Sequence, residues 1–325
     1  MKKRIYQLLM LVTAVLVLAG CAVNTPAPAS VPQTATTIPT LEATTTAVPL
    51  VFTDGLQRTV EFSSAPQRIV SLAPSATEIL YAVGAGEQMV GRDSFSNYPE
   101  EAKALADVGG SMGDYSYEAI ANLQPDLVVA TEINTPEQVK ALEDLGIKVY
   151  YIANPVALED LYPILATMGE ITGHSDAATA LVDSLKARVE AVSTKTASAA
   201  TTPVVFYELD GTDPAKPWTA GPGTFIDQLI ALAGGKNAAS ELSGDWAQIS
   251  VEELLVQNPQ VILLGDAAYG MTAEQVATRT GWDSLQAVST GQVYAFNDDL
   301  VSRPGPRLVD ALEELSKLLH PEMYK

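Results

Sequence analysis

The side chains that usually carry chemistry are scarce in this chain of 325 residues. It has one cysteine, Cys21, and two histidines, His174 and His320. A site for a bare zinc or manganese ion needs two or three imidazole or thiolate ligands at ligand spacing. The sequence has no such grouping, so no metal site and no cofactor of the protein's own are expected. There is no Gly-x-Ser-x-Gly elbow and no P-loop, the signatures of an activated serine on an α/β scaffold and of a nucleotide site. The 39 Asp and Glu residues are spread along the chain, and scattered carboxylates are poor evidence for an acid–base pair. No catalytic residue is assigned, and the chain reads as a non-enzyme. Both histidines read as solvated, His320 at a helix C-terminus where a cation suits the dipole.

Two glutamates form a more informative pattern. Ser116-Tyr117-Glu118-Ala119-Ile120 leads to Leu123-Gln124-Pro125-Asp126-Leu127-Val128-Val129. Ser250-Val251-Glu252-Glu253-Leu254 leads to Gln257-Asn258-Pro259-Gln260-Val261-Ile262-Leu263. A shift of 134 residues (118 to 252) aligns the serine, the glutamate, the aliphatic residue, the proline and the strand. Each copy predicts a Ser-capped helix, a proline stop and a buried strand. One copy in each half implies a pseudo-symmetric molecule.

A set of aromatic residues falls in loops where strands are predicted to end, the usual position of ligand crevices in α/β sheets. Phe95 and Tyr98 lie in Ser94-Phe95-Ser96-Asn97-Tyr98-Pro99, and Tyr115 and Tyr117 follow Gly109-Gly110-Ser111-Met112-Gly113. Trp218 and Trp246 sit beside Gly and Asp in the second half. Flat aromatics of this kind suit a large, partly apolar ligand. Arg92, Arg303 and Arg307 are the cations that could meet an anionic one.

The elements that must position these residues alternate. Val51 to Phe62 predicts a hairpin about Asp54-Gly55. Arg68 to Leu72 predicts a buried strand, with Ser75 capping a helix that ends at Gly84. Strands at Leu127–Ala130 and Val149–Ile152 flank a helix from Thr135 to Leu145. Leu158 to Val192 reads as helical, broken near Gly169 and Gly173, with one helix over Asp176–Val192. Strands at Val204–Phe206, Val261–Leu264 and Val293–Phe296 and helices at Thr224–Ala233 and Arg307–Leu319 complete a second α/β half. The fold class is α/β, with mostly parallel sheets.

The ends and the charge bound where such a molecule works. Lys2, Lys3 and Arg4, an apolar run from Leu8 to Leu18 and the small residues before Cys21 describe a secretory signal. The run falls short of the about 20 residues that a hydrocarbon core of about 30 Å asks for. Leu18-Ala19-Gly20-Cys21 resembles a lipobox, so Cys21 is the expected lipidation site and the membrane partner is reached through a lipid. Ala22 to Pro49 is rich in Thr, Ala and Pro with Glu42 as its only charge, and reads as a disordered tether with a reach of about 30 Å. Net charge is −20, and losing Lys2, Lys3 and Arg4 takes it to −23. That excess argues against nucleic acid, whose phosphates reward Lys and Arg. The expected divisions are residues 1–20 as signal, 21–50 as lipidated Cys and tether, 51–157 and 201–325 as α/β lobes, and 158–200 as a helical connector.

The chain resembles the bacterial periplasmic-binding proteins for ferric siderophores, haem and cobalamin, in which a long helix joins two Rossmann-like lobes. Arg68 to Glu78, Ser94 to Pro99, Leu123 to Val128 and Arg303-Pro304-Gly305-Pro306-Arg307 carry the likeness. Ser94 to Pro99, with Asp245-Trp246 ahead of the second glutamate helix, brings it nearest the cobalamin-binding branch. The resemblance implies a receptor outside the cytoplasmic membrane that passes a bulky chelate to a dimeric ABC permease with a cytoplasmic ATPase. It implies that Glu118 and Glu252 dock on permease arginines, that Phe95, Trp218 and Trp246 line the cleft, and that Arg303 sits at its rim. Where the cobalamin binders carry a tryptophan ahead of the first glutamate helix, this chain has Met112, with Tyr115 nearby. That departure keeps a ferric siderophore or haem open as cargo. A surface-anchored α/β enzyme and a purely structural lipoprotein are the readings from other classes.

Overall fold

The computed structural model describes residues 49–110 and 113–325. Two parallel sheets form the body. In the first half the elements are β1 (Leu50–Thr53), β2 (Thr59–Phe62), β3 (Ile69–Ser71), α1 (Pro74–Ala82), β4 (Met89–Arg92) and β5 (Ala106–Asp107). They continue with α2 (Tyr117–Asn122), β6 (Leu127–Thr131), α3 (Pro136–Asp144) and β7 (Val149–Ile152). Two helices follow, α4 (Leu161–Thr172) and α5 (Ser175–Thr196). The second half runs β8 (Val204–Glu208), β9 (Trp218–Ala220), α6 (Phe225–Leu232), β10 (Lys236–Asn237), β11 (Trp246–Gln248) and α7 (Val251–Gln257). It closes with β12 (Val261–Leu264), α8 (Ala273–Ala277), α9 (Gln286–Ser289), β13 (Val293–Ala295) and α10 (Leu308–Leu319).

Strand order is β5-β4-β3-β6-β7 in the first sheet and β10-β8-β12-β13 in the second, all pairs parallel. The repeat noted in the sequence is thus a repeat of topology. β6 lies beside β3 as β12 lies beside β8. β3, β6, β7 and β12 are buried on both faces, and alternation along the strands sorts the core. Ile69, Leu127 and Val129 pack in one cluster with Val205, Val261 and Leu263 of the other sheet, together with Leu165, Leu185 and Leu312 of the helices. Val70, Val128 and Ala130 face an outer cluster of the first lobe. Phe206, Ile262 and Leu264 face that of the second. One apolar core therefore runs through both lobes along the connecting helices.

Several local expectations change. The Asp54-Gly55 hairpin is antiparallel as expected, yet its turn is a wider loop. Asp54 Oδ1 accepts from the N–H groups of Leu56 and Arg58, 3.0 Å each, and Gln57 takes φ 61°. Ser75 does not cap α1, because Pro74 occupies the first turn and Ala73 is the cap residue. Proline suits that position, since its fixed φ is helical and its missing N–H would be unbonded there anyway. The expected break at Gly169 is absent. Gly169 lies inside α4, where a Cβ would come within 2.3 Å of Ala178 Cβ. Its role is to let α4 and α5 close on each other. Gly173, φ 80°, alone ends α4. The 22 residues of α5 run past Val192 to Thr196, about 33 Å at 1.5 Å per residue. His320 is fully buried, with Nε2 3.3 Å from the Gly234 carbonyl, so it is not the solvated cation expected. His174 is half-buried, with Nδ1 3.3 Å from Thr172 Oγ1.

Candidate functional site

The two copies of the repeat build alike. Ser116 Oγ accepts from the Ala119 N–H at 3.1 Å and starts α2; Ser250 Oγ accepts from the Glu253 N–H at 3.1 Å and starts α7. Glu118 and Glu252 fall in the first turns, where a carboxylate complements the helix dipole. Both are exposed, and neither is in a salt bridge among the described residues. They are two matched, uncompensated charges, one on each lobe.

A cavity of about 210 Å³ opens between the lobes. Glu132, Asn154, Pro155 and Val156 border it at the ends of β6 and β7, and Gly223, Thr224, Phe225, Asp245 and Trp246 border it from the second lobe. Trp246 and Phe225 meet edge to face, ring centroids 6.5 Å apart. β9 and β11 form an antiparallel ribbon in which Trp246 pairs with Ala220 and Trp218 with Gln248. Paired residues share a side and alternate residues return to it, so Trp218 and Trp246 stand on one face. They are 41% and 45% exposed, so a large part of their apolar area is open to solvent.

Phe95, 54% exposed, rides on a loop fixed from beneath. Asp93 Oδ2 accepts the Phe95 N–H at 2.8 Å, and Asp93 also accepts from the Ser96 hydroxyl. Ser96, Thr77 and Ser71 continue a buried hydroxyl chain at 2.7 and 2.9 Å. Burial pushes the Asp93 carboxyl above its usual range, against the lowering effect of those hydrogen bonds.

The remaining predicted side chains are already engaged. Arg303 Nη1 donates to Asn97 Oδ1 at 2.7 Å and lies 3.2 Å from Glu78 Oε1; Nη2 lies 2.8 Å from Asp299. Arg307 Nε donates to Glu78 Oε2 at 2.7 Å, and its guanidinium lies 4.1 Å from the Tyr98 ring centre. Arg92 donates to Asp107 at 3.0 Å and to the Asp93 carbonyl at 2.7 Å. Tyr115 donates to the Leu72 carbonyl at 2.7 Å and accepts from Asn134 Nδ2 at 2.8 Å, and burial pushes its phenol up to about 12. Cys21 and Met112 lie outside the described residues.

The sequence reading missed Glu78. Its carboxylate, 3% exposed, joins Arg303 and Arg307 and so ties α1 of the first lobe to the segment ahead of α10. A signal was present: Glu78 stands among Ile79, Leu80 and Ala76 on a buried helix, and Arg303 and Arg307 are four residues apart. The Asn154-Pro155-Val156 border of the cleft was missed as well, and nothing in its residue types announces it. Among the described residues no group of three or more His, Cys, Asp or Glu could hold a metal ion. No described helix is long and apolar enough to cross a membrane.

Comparison with known proteins places this geometry. The profile of the family described as periplasmic binding protein matches residues 69–300. The ABC transporter substrate-binding lipoprotein YvrC of Bacillus subtilis (strain 168) is 34% identical over 282 residues, 85% of this chain and 87% of that protein. A cobalamin-binding protein of Halobacterium salinarum is 30% identical over 84% of this chain and 74% of its own length. The periplasmic heme-binding protein RhuT from Roseiflexus superposes with a TM-score of 0.71 at 28% identity, covering 80% of this chain and all of that one.

Proposed function

Since this chain belongs to the periplasmic binding protein family, we propose that it is the extracytoplasmic receptor of an ABC importer and that its cargo is a corrinoid. The observation that carries the cargo is the pair Trp218 and Trp246, half-exposed on one face of a ribbon beside the interlobe cavity. With Phe95 they offer flat apolar surface to a large planar chelate. The state of the arginines supports a cargo without net negative charge. Arg303 and Arg307 spend donors on carboxylates of the chain, and Arg92 meets Asp107 and the Asp93 carbonyl while its Nε is buried away from solvent, whereas recognition of an anionic chelate calls for free guanidinium forks. A cobalamin-binding relative agrees with this reading. Arg303 then acts at the cleft rim by holding Asn97 and the Phe95 loop, with Tyr115 near the first glutamate helix.

The rest of the reading is assembled around that cleft. Cys21 carries the lipid, residues 21–50 tether the body, and the lobes over 51–157 and 201–325 are joined by the helices of 158–200. Glu118 and Glu252 meet basic residues on a two-fold permease served by a cytoplasmic ATPase. Two matched charges suit such symmetry, and interfacial charges of this kind chiefly set orientation and association rate. The ligand is captured and released without turnover. The test is a fluorescence titration of the purified protein with cyanocobalamin, haem and a ferric hydroxamate. Saturable tryptophan quenching by cyanocobalamin, reduced in Trp218→Ala and Trp246→Ala, is the expected result. Silence toward cyanocobalamin with a response to haem or the hydroxamate would overturn the corrinoid assignment.

A further inference from the structure

The two glutamate helices differ on the face that carries the glutamate. In α7, Val251 and Leu254 pack into the outer cluster of the second lobe, as Tyr117 and Ile120 of α2 pack into that of the first. Residues three and four apart lie together on a helix surface, so Glu252 shares the outward face with Leu255 and Val256. All three are exposed, and Val256, at 76%, is the most exposed large aliphatic side chain among the described residues. The shift of 134 residues that aligns the glutamates places Ala121 and Asn122 at the positions of Leu255 and Val256. Those two are exposed as well.

That comparison removes folding as the reason for the apolar pair. The same place in the same cap–helix–strand unit takes alanine and a polar amide in the first lobe, so the packing of the unit does not ask for leucine and valine there. Side by side, they hold apolar surface in water, which a partner can remove. The charge beside them selects the partner. Glu252 forms no salt bridge among the described residues. Its neighbour Glu253 is bonded only within the helix, where Oε1 accepts from Gln257 Nε2 at 2.8 Å. A second copy seated symmetrically here would bring two acidic faces together in a chain of net charge −20, and like charges oppose that. A surface with a cation beside an apolar patch is the complement.

We propose that the second lobe is the anchoring lobe of the receptor. Glu252, Leu255 and Val256 seat together on the permease, the carboxylate meeting a cation and the two aliphatic side chains covering apolar permease surface. The first lobe engages the two-fold related site through Glu118 alone. This rests on the docking reading above and adds an order of strength to it. A symmetric permease offers two equal sites, so the difference between the lobes decides which contact holds longer. Such differences are expressed chiefly in the rate of release, and the second-lobe contact outlasts the first when the complex comes apart.

Exchanging the chemistry of the two faces tests it. Binding of the purified protein to its permease–ATPase complex in lipid nanodiscs is followed by biolayer interferometry at low and high salt. Leu255→Ala with Val256→Asn gives the second lobe the residues of the first and is expected to weaken binding about tenfold, mainly through faster release. Ala121→Leu with Asn122→Val gives the first lobe the apolar pair and is expected to slow release about threefold. High salt screens the glutamate contacts and should leave the differences between these variants and the parent in place. Exposed substitutions usually leave the fold alone, and equal melting temperatures check that. Unchanged binding in both exchange variants, while Glu118→Ala with Glu252→Ala abolishes it, overturns the anchor and keeps the docking glutamates. Full binding by the glutamate variant overturns the docking reading and the anchor with it. A parent that forms a dimer broken by Leu255→Ala with Val256→Asn assigns the face to a second copy of the chain, and the permease assignment falls.

Discussion

Gln124 and Asn258 hold the same left-handed backbone, φ 48° and 43°, at positions that the internal repeat superimposes. Each follows a glutamate helix and precedes a proline, Pro125 or Pro259, and each turns the chain into a buried strand. Left-handed backbone strains glutamine and is tolerated by asparagine. Asn258 also works, because its Oδ1 accepts the Gln286 N–H at 2.8 Å. Gln124→Gly is therefore expected to raise stability by about 0.5 kcal/mol. Asn258→Gly is expected to lower it by about 1 kcal/mol through the lost hydrogen bond. Urea unfolding of the two variants should give changes of opposite sign.

The Glu78 cluster should behave as a buried ion pair that spans the lobes. Its side chain is 1% exposed, and those of Arg303 and Arg307 are 11% and 12% exposed. Removing one partner of such a pair leaves charge uncompensated, at about 3–5 kcal/mol. Glu78→Ala should lose stability on that scale in chemical denaturation. A loss below about 1 kcal/mol would place the cluster with surface pairs, which contribute little.

Gly169→Ala tests the contact between α4 and α5. The added methyl would stand 2.3 Å from Ala178 Cβ, so the helices must part. Overpacking of this kind costs about 1–3 kcal/mol, despite alanine's better helix propensity. An unchanged melting temperature would mean that the helices separate freely, contrary to the continuous core.

Glu118→Ala with Glu252→Ala should leave the fold alone, since exposed substitutions usually fall within about 0.5 kcal/mol. Ligand affinity should also hold. Ligand-stimulated ATP hydrolysis by the reconstituted importer should collapse, and an undiminished rate would remove the docking role.

Stability should vary with pH through Glu313. The Arg188 guanidinium, 2.8 Å away, holds this carboxyl below its usual range. A depressed folded-state pKa adds stability above the unfolded value of 4.5, and that gain is lost as pH falls through the folded value. Both side chains are about a third exposed, so screening limits the gain to about 0.5–1 kcal/mol. Glu313→Gln should be less stable than the parent by that amount at neutral pH and equal to it in strong acid. A difference that persists in acid would trace to packing instead.

Much of the architecture was legible because it rests on local signals. The serine caps of α2 and α7, the prolines after them and the apolar strands are short-range features, and the structure places each as read. Family resemblance carried the two-lobed arrangement beyond what periodicity can say. Misreadings arose where a residue's surroundings outweighed its type. Gly169 looked like a helix break and is a packing contact. His320 looked like an exposed helix-end cation and is buried against Gly234. Ser75 looked like a cap and lies beyond Pro74.

The same division holds for the site. Sequence alone determined the alternating α/β order, the matched glutamates and the shortage of metal ligands, because residue type and spacing along one chain suffice for these. Only the tertiary structure decided which charges are free. It paired Arg303 and Arg307 with a glutamate more than two hundred residues away and left Glu118 and Glu252 without partners among the described residues. It also set Trp218 and Trp246 on one face through strand pairing. Pairing and burial depend on distances between remote segments, and no local pattern encodes those distances.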